Sequence, residues 1–247
     1  MVNADPAVQL RLLDLQAVDA KLAQLGHRRR TLPELTRITD AAARAGTLHS
    51  DAVGLRTETS DLATEQRRME NDIEVVRSRE SRDQARLDSG GVPAKELEGL
   101  QHELVSLARR QATLEDAALE VMERREELES SLADVLARAQ TVADEQAEAE
   151  AERDRQFAEI DAAAGQATTD RATIAHEIPA DLLALYDQVR AAQGGVGAAA
   201  IRQRRCEGCR LELAGSELTA ARHAAADEVL RCENCRRILV RTAESGL

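Results

Sequence analysis

The residues in this chain best suited to chemistry are its four cysteines. All of them fall in two Cys-x-x-Cys pairs, Cys206 with Cys209 in CEGC and Cys232 with Cys235 in CENC, and the full spacing is C-x2-C-x22-C-x2-C. Each such turn presents two thiolates on one side of a knuckle, and two knuckles complete a tetrahedron for one structural Zn2+. Four thiolates leave no open coordination position, which argues against a catalytic zinc. The opening MVNADPAVQL has neither a basic nor an apolar signal region, so the chain is expected in the cytoplasm. Thiols stay reduced there, and paired Cys-x-x-Cys units read as metal ligands before disulfides. A redox role is the weaker reading, because the motif occurs twice and has no βαβ context. His223 is the one other nitrogen or sulfur ligand type near the knuckles, and a weaker candidate than any of the four thiols.

Short segments must hold these thiols. VGAAAIRQRR leads into Cys206, RLEL leaves Cys209, DEVLR leads into Cys232 and RRILV leaves Cys235. All four read as strand-like. SELTAARHA at 216–224 reads as a short helix or loop with Ser216 as its cap. A fold of about 45 residues buries too little surface to hold itself together, so a metal must contribute. A zinc ribbon over about residues 196–241 is the expected result.

Charge is distributed unevenly. From Ile201 to Arg241 nine arginines face six acids, a net of +3, while the whole chain carries −12. An acidic body with a basic end points to partners at that end. Arg204, Arg205, Arg210, Arg236 and Arg237 flank the knuckles and are the candidates for contacting the phosphates of DNA or RNA. The ribbon has no aromatic residue to stack a base, since Phe157 and Tyr186 lie outside it, so sequence-specific reading of single strands is not expected.

The rest of the chain reads as long helices. Aromatic residues are 1% and charged residues 32%, a composition typical of coiled coils rather than of one large core. Val8, Leu15 and Leu22 form one row at heptad spacing and Val18, Leu25 and Leu32 another, until Pro33 interrupts. The repeat resumes in Leu48, Leu55, Leu62, Met69 and Val76, with Ile38, Ala45, Ala52, Thr59, Gln66 and Ile73 as companions. After the GGVP break at 90–93 it returns in the ladder from Leu100 to Val142, beside Leu97, Leu104, Gln111, Ala118, Arg125, Leu132 and Ala139.

Gly90 and Gly91 suit a helix end and Pro93 a helix start. The arms on either side are similar in length, so an antiparallel hairpin lets each bury the other's seam. An intermolecular coil is the alternative, but the turn signal sits where the symmetry of a hairpin requires it. Two registers satisfy the heptads. One of them sets Leu48 opposite Ala139, Leu55 opposite Leu132, Met69 opposite Ala118 and Leu87 opposite Leu100. Gln66, Gln111 and Arg125 interrupt the seam and are expected to tune register, and His27, His49, His102 and His176 are expected on the surface. GQATTDRA at 165–172 reads as a loop, and 178–192 as one more amphipathic helix with Pro179 in its first turn and Tyr186 packing. The expected fold is therefore mainly α. Residues 1–172 form a long antiparallel coiled-coil hairpin, and 173–247 form a connecting helix and a small β-rich C4 zinc ribbon.

IPADLLALYDQVR, GGVGAAAIRQRRCEGCRLEL and LRCENCRRILV, together with the arm at 93–129, resemble the bacterial family of helical-hairpin proteins with a C-terminal C4-type zinc ribbon. That family is related to the flagellar chaperone-like zinc-ribbon proteins, and the Arg-rich, Lys-poor wording resembles its actinobacterial members. The resemblance implies nucleic-acid binding, or an adaptor role toward secretion or flagellar parts or an alternative sigma factor. The family's knuckles often read C-P-x-C-G. This chain has Arg210 and Arg236 in place of those glycines, so either the backbone differs or strain is tolerated there.

An enzyme is not expected. GGVGAAA lacks the Lys-Ser/Thr of a phosphate loop, and no nucleophile, base and orienter set is visible. The carboxylates lie on exposed helical repeats. No small-molecule substrate is implied, and no apolar run is long enough to span a membrane. The expected function is nucleic-acid binding through the ribbon, with the hairpin as a spacer that docks a protein. The alternative is a protein-binding adaptor or chaperone acting through the hairpin.

Overall fold

The computed structural model describes residues 2–247. Five helices and four short strands follow one another: α1 (Pro6–Arg30), α2 (Pro33–Asp88), α3 (Ala94–His176), α4 (Ala180–Ala192), β1 (Ala198–Arg202), β2 (Arg205–Cys206), α5 (Gly215–His223), β3 (Leu230–Arg231) and β4 (Ile238–Val240). Among these helices, none is long and apolar enough to cross a membrane. The chain divides into two compact units. One is Thr36–Glu150, and the other joins the chain up to Leu35 with Ala151–Leu247.

Thr36–Glu150 is an antiparallel pair of helices. α2 ends at Asp88, Gly90 takes a left-handed φ of 66°, and α3 begins at Ala94. Ala41, Leu48 and Val142 form a buried cluster with Ala45, Val135 and Ala139 packed against it. Arg44 pairs with Glu145 at 2.6 Å. These contacts match the register that sets Leu48 opposite Ala139. Arg77 also reaches Glu115 at 2.6 Å, and Arg79 pairs with Glu103. Exposed pairs of this kind add only about 0.2–1 kcal/mol each, but their signs select register. The polar interruptions meet across the seam, where Arg125 Nη1 donates to Gln66 Oε1 at 2.7 Å. Gln111 instead bonds Glu115 on its own helix. His27, His49, His102 and His176 are exposed as expected.

The segment 165–172, expected as a loop, is helical throughout. Its row continues the Ala139 row after two polar steps, as Ile160, Ala167 and Ile174, and the first two are buried. Thr168 and Thr169 turn their hydroxyls back onto the carbonyls of Ala164 and Gly165. Loop-like composition is overridden here by packing.

The buried side of α1 also differs from expectation, because Gln9, Leu12 and Asp19 are buried beside Leu15, while Val18 and Leu25 are half-buried and Leu32 of their row is buried just past the helix end. Asp19 is only 2% exposed. It accepts from Arg171 Nε of α3 at 2.8 Å and from the Tyr186 hydroxyl of α4 at 2.8 Å, and it lies 3.3 Å from Arg190. Burial first, and then Asp19, hold the Tyr186 phenol far above its ordinary pKa. Gln16 of α1 accepts the N–H of Gly197 at 2.7 Å, and its amide donates to Gly195 at 3.2 Å. Gly197 has to be glycine, because a Cβ there would stand 2.7 Å from the Tyr186 ring.

The strands form one sheet in the order β2-β1-β4-β3, with β1 and β4 parallel at its centre. Ala198 pairs with Ile238 and Ala200 with Val240, while Ala199 pairs with Leu239. Alternation sends these pairs to opposite faces. Ala198, Ile238 and Val240 join Leu12, Leu15, Ile178, Leu182 and Tyr186 in one core. Ala199, Ile201 and Leu239 join Cys206, Cys232 and Leu213 in another. The RLEL segment expected as a strand forms only an isolated bridge, Glu212 with Arg205. α5 starts at Gly215 after Ala214, so Ser216 is not its cap.

Asp19→Ala tests the polar anchor. It removes the buried one of the two acids that Arg171 and Arg190 share, leaving them Asp187, and thermal unfolding should show a loss of about 3 kcal/mol, at the low end for a buried pair because both arginines reach solvent.

Candidate metal centre

Each knuckle is built the same way. Arg210 N–H donates to Cys206 O at 2.7 Å and Arg236 N–H to Cys232 O at 2.8 Å. Cys206 N–H reaches Leu211 O at 3.0 Å, as Cys232 N–H reaches Arg237 O at 2.9 Å. These loops bring all four sulfurs within 4.8 Å of one another. Cys206 Sγ lies 3.8 Å from Cys235 Sγ, and Cys209 Sγ 3.9 Å from Cys232 Sγ. A Zn–S bond of about 2.3 Å puts the sulfurs of a regular tetrahedron about 3.8 Å apart, so two of the spacings already match a zinc site and the others need to contract by about 1 Å at most. His223 is exposed and outside the cluster.

Backbone N–H groups aim at the sulfurs: those of Gly208 and Cys209 at Cys206, and those of Asn234 and Cys235 at Cys232. They stabilise thiolates, but burial dominates. It pushes the Cys206 thiol well above its ordinary range and Cys232 up to about 11. Burial also raises Cys235, but hydrogen bonds from the N–H and guanidinium of Arg237 and from the Cys232 and Cys209 thiols together outweigh it and bring that thiol to about 7. Zinc binds thiolates, so uptake must release protons and weakens as pH falls.

Arg210 and Arg236 hold left-handed φ angles of 63° and 60°. The knuckle geometry that favours glycine is thus retained with arginine in place, at a cost of about 1 kcal/mol each. Gln203 and Arg204 are also left-handed, at 46° and 64°, and form the two-residue turn between β1 and β2. Arg204 Nε donates to Gly246 O at 3.1 Å. Arg204, Arg205, Arg210 and Arg236 are exposed.

Arg237 differs from those four. Its guanidinium donates to the carbonyls of Gln193 at 2.8 Å, Val196 at 3.2 Å and Gly208 at 3.3 Å. It ties the end of α4 and the approach to β1 onto the first knuckle. A Cβ on Gly208 would stand 2.7 Å from Arg237 Cδ, which explains the glycine of CEGC. Arg241 works similarly, donating to the carbonyls of Ala224, Ala225, Ala226 and Glu228. Sequence reasoning missed Gln16 and Asp19, which anchor the helices to the sheet. The available signal was an acid four residues after Leu15 and three before Leu22, at seam spacing.

A long antiparallel helical pair combined with a four-thiolate ribbon defines a zinc-ribbon hairpin protein. The chain belongs to the CT398-like coiled coil hairpin family, whose model matches residues 15–194, and a C4-type zinc ribbon domain matches residues 205–239. It is 39% identical over 240 residues to the Mycobacterium tuberculosis protein Rv2229c, covering 97% of this chain and 98% of that one. A solved Mycobacterium smegmatis structure matches with a TM-score of 0.86 and 38% identity, over 98% of this chain and 100% of that one. CT398 of Chlamydia trachomatis shares the fold, with a TM-score of 0.70, 16% identity, and coverage of 96% of this chain and 98% of that one. Both family descriptions are structural, and neither describes an enzyme.

Purified protein should carry one zinc per chain, and Cys206→Ser or Cys232→Ser should abolish it by metal analysis. Chelation should expose the β1–β4 amides to hydrogen exchange while most of the helical circular dichroism persists, because Thr36–Glu150 has its own seam. Arg237→Ala should cost about 2–3 kcal/mol in zinc-loaded thermal unfolding, and Arg237→Lys should not restore it, because one ammonium cannot span three carbonyls.

Proposed function

We propose that this is a non-catalytic zinc-ribbon protein of the cytoplasm that grips the phosphate backbone of nucleic acid weakly through its ribbon, with the hairpin available to dock a protein partner. The observation that carries the reading is the state of three guanidiniums. Arg205, Arg210 and Arg236 are exposed, and no hydrogen bond or ion pair among the described residues occupies their side chains. Two of them sit on left-handed backbone that glycine would hold more cheaply. Strain retained at an exposed site supports a use for the side chain that causes it. A guanidinium is a planar fork matched to phosphate oxygens and weakly hydrated. Arg237 drops out of the contact set because its donors are already occupied.

A second reading, an adaptor acting through the hairpin with a purely structural ribbon, is favoured by Val75, Val105 and Leu119, apolar side chains more than half exposed.

Full-length, zinc-loaded protein should bind single- or double-stranded nucleic acid with little sequence preference. About three phosphate contacts give a slope of log K against log salt of roughly −2 to −3. Arg210→Gly together with Arg236→Gly should flatten that slope by about 2. The same variant should keep its zinc and be no less stable, since the change relieves strain. No retention on DNA or RNA at low salt, or an unchanged slope in the variant, rules for the adaptor.

A further inference from the structure

The geometry points to Glu217 as a positioning residue of the metal centre, a carboxylate outside both knuckles that holds the second one in its metal-binding form. In each knuckle the residue after the leading cysteine has an N–H that bonds an oxygen acceptor outside the knuckle. In the first knuckle this is Glu207, which donates to the carbonyl of Ala200 on the neighbouring strand β1 at 3.1 Å. In the second it is Glu233. Among the described residues the sheet order leaves β3 at an edge beside β4, and none of the strands stands where β1 stands beside β2. The acceptor is instead Glu217 Oε1, from the first turn of α5, at 2.9 Å.

The cost of this arrangement argues that it does something. Glu217 is 6% exposed, and its second oxygen is buried without a hydrogen-bond partner. A buried acceptor left unsatisfied is unfavourable, and four thiolates around one Zn2+ carry a net negative charge that repels a nearby carboxylate. The first turn of a helix offsets part of this through its dipole. The neighbouring Asn234 and Cys235 N–H groups point at Cys232 Sγ. Fixing the Glu233 N–H fixes the Cys232–Glu233 peptide, which immediately precedes the two peptides that carry those donors. α5 is itself seated on the metal-side core through Leu218, beside Leu213. Zinc release from the second knuckle is thereby coupled to α5, the extra element in the long spacer between the cysteine pairs.

The test uses full-length zinc-loaded protein and an excess of a chromophoric chelator. Glu217→Met keeps the length and burial of the side chain but removes the acceptor. Zinc transfer should accelerate on the order of tenfold, the usual effect of losing a group that orients a metal ligand. Glu217→Gln keeps a carbonyl acceptor and should stay within about twofold of the parent rate. Helical circular dichroism should be the same in all three. In the unmodified protein the Glu233 amide should be protected from hydrogen exchange like that of Glu207. Parent-rate zinc transfer in Glu217→Met overturns the assignment. So does a Glu217→Gln protein as fast as Glu217→Met, which would make the charge and not the hydrogen bond the operative feature. A Glu233 amide that exchanges as fast as an exposed one also overturns it, whether or not the variants fold.

Discussion

The parallel pairing of β1 with β4 is the contact on which the metal-bearing unit depends. Two strands this short have one face for every second residue and no core of their own. One face is covered by four thiolates and a few aliphatic side chains. The other is covered by α1, α4 and the end of α3. Neither cover is sufficient alone, because a sheet of this size buries too little surface to hold its strands together. The metal centre and the helical core are therefore two sides of one small sheet. The first residues of the chain join the same unit, with Ala4 N–H donating to Asp227 O at 2.8 Å and Asn3 bridging Glu228.

Arginine performs two different tasks around that sheet. Arg237 and Arg241 act as cross-links. Each spreads one guanidinium over three or four backbone carbonyls that have no strand or helix partner. Lysine cannot copy this geometry, since its donors radiate from a single atom. Arg210 and Arg236 instead occupy left-handed backbone and leave their side chains in solvent. The net charge of the segment does not separate these groups. Only hydrogen-bond partners and backbone angles do, and they leave fewer free cations than the count of nine arginines suggests.

Thr36–Glu150 relies on a different balance. Its seam is built from small residues, such as Ala41, Ala45 and Ala139, around Leu48 and Val142. Such a seam specifies register poorly by shape alone, because alanines offer few distinct knobs. Polar contacts supply the missing specificity. Arg44 with Glu145 and Gln66 with Arg125 are satisfied in one alignment of the arms.

The four zinc ligands, the turn at 90–93 and the heptad rows were legible in the sequence because each is local: a spacing, a helix-breaking pair or a period. The helix through 165–172 was not legible. Its composition favours a loop, and its helicity rests on the burial of Ile160 and Ala167. The same limit hid Asp19, Gln16 and Glu217. Polar residues on amphipathic helices look alike until tertiary packing decides which of them face an unpaired N–H or a buried guanidinium. Arginine at both glycine-preferring knuckle positions could be read from the order of residues, as two open outcomes. Which outcome held was a matter of backbone angle, set by closure of each knuckle around its sulfurs and by the two sides of the sheet that pin it.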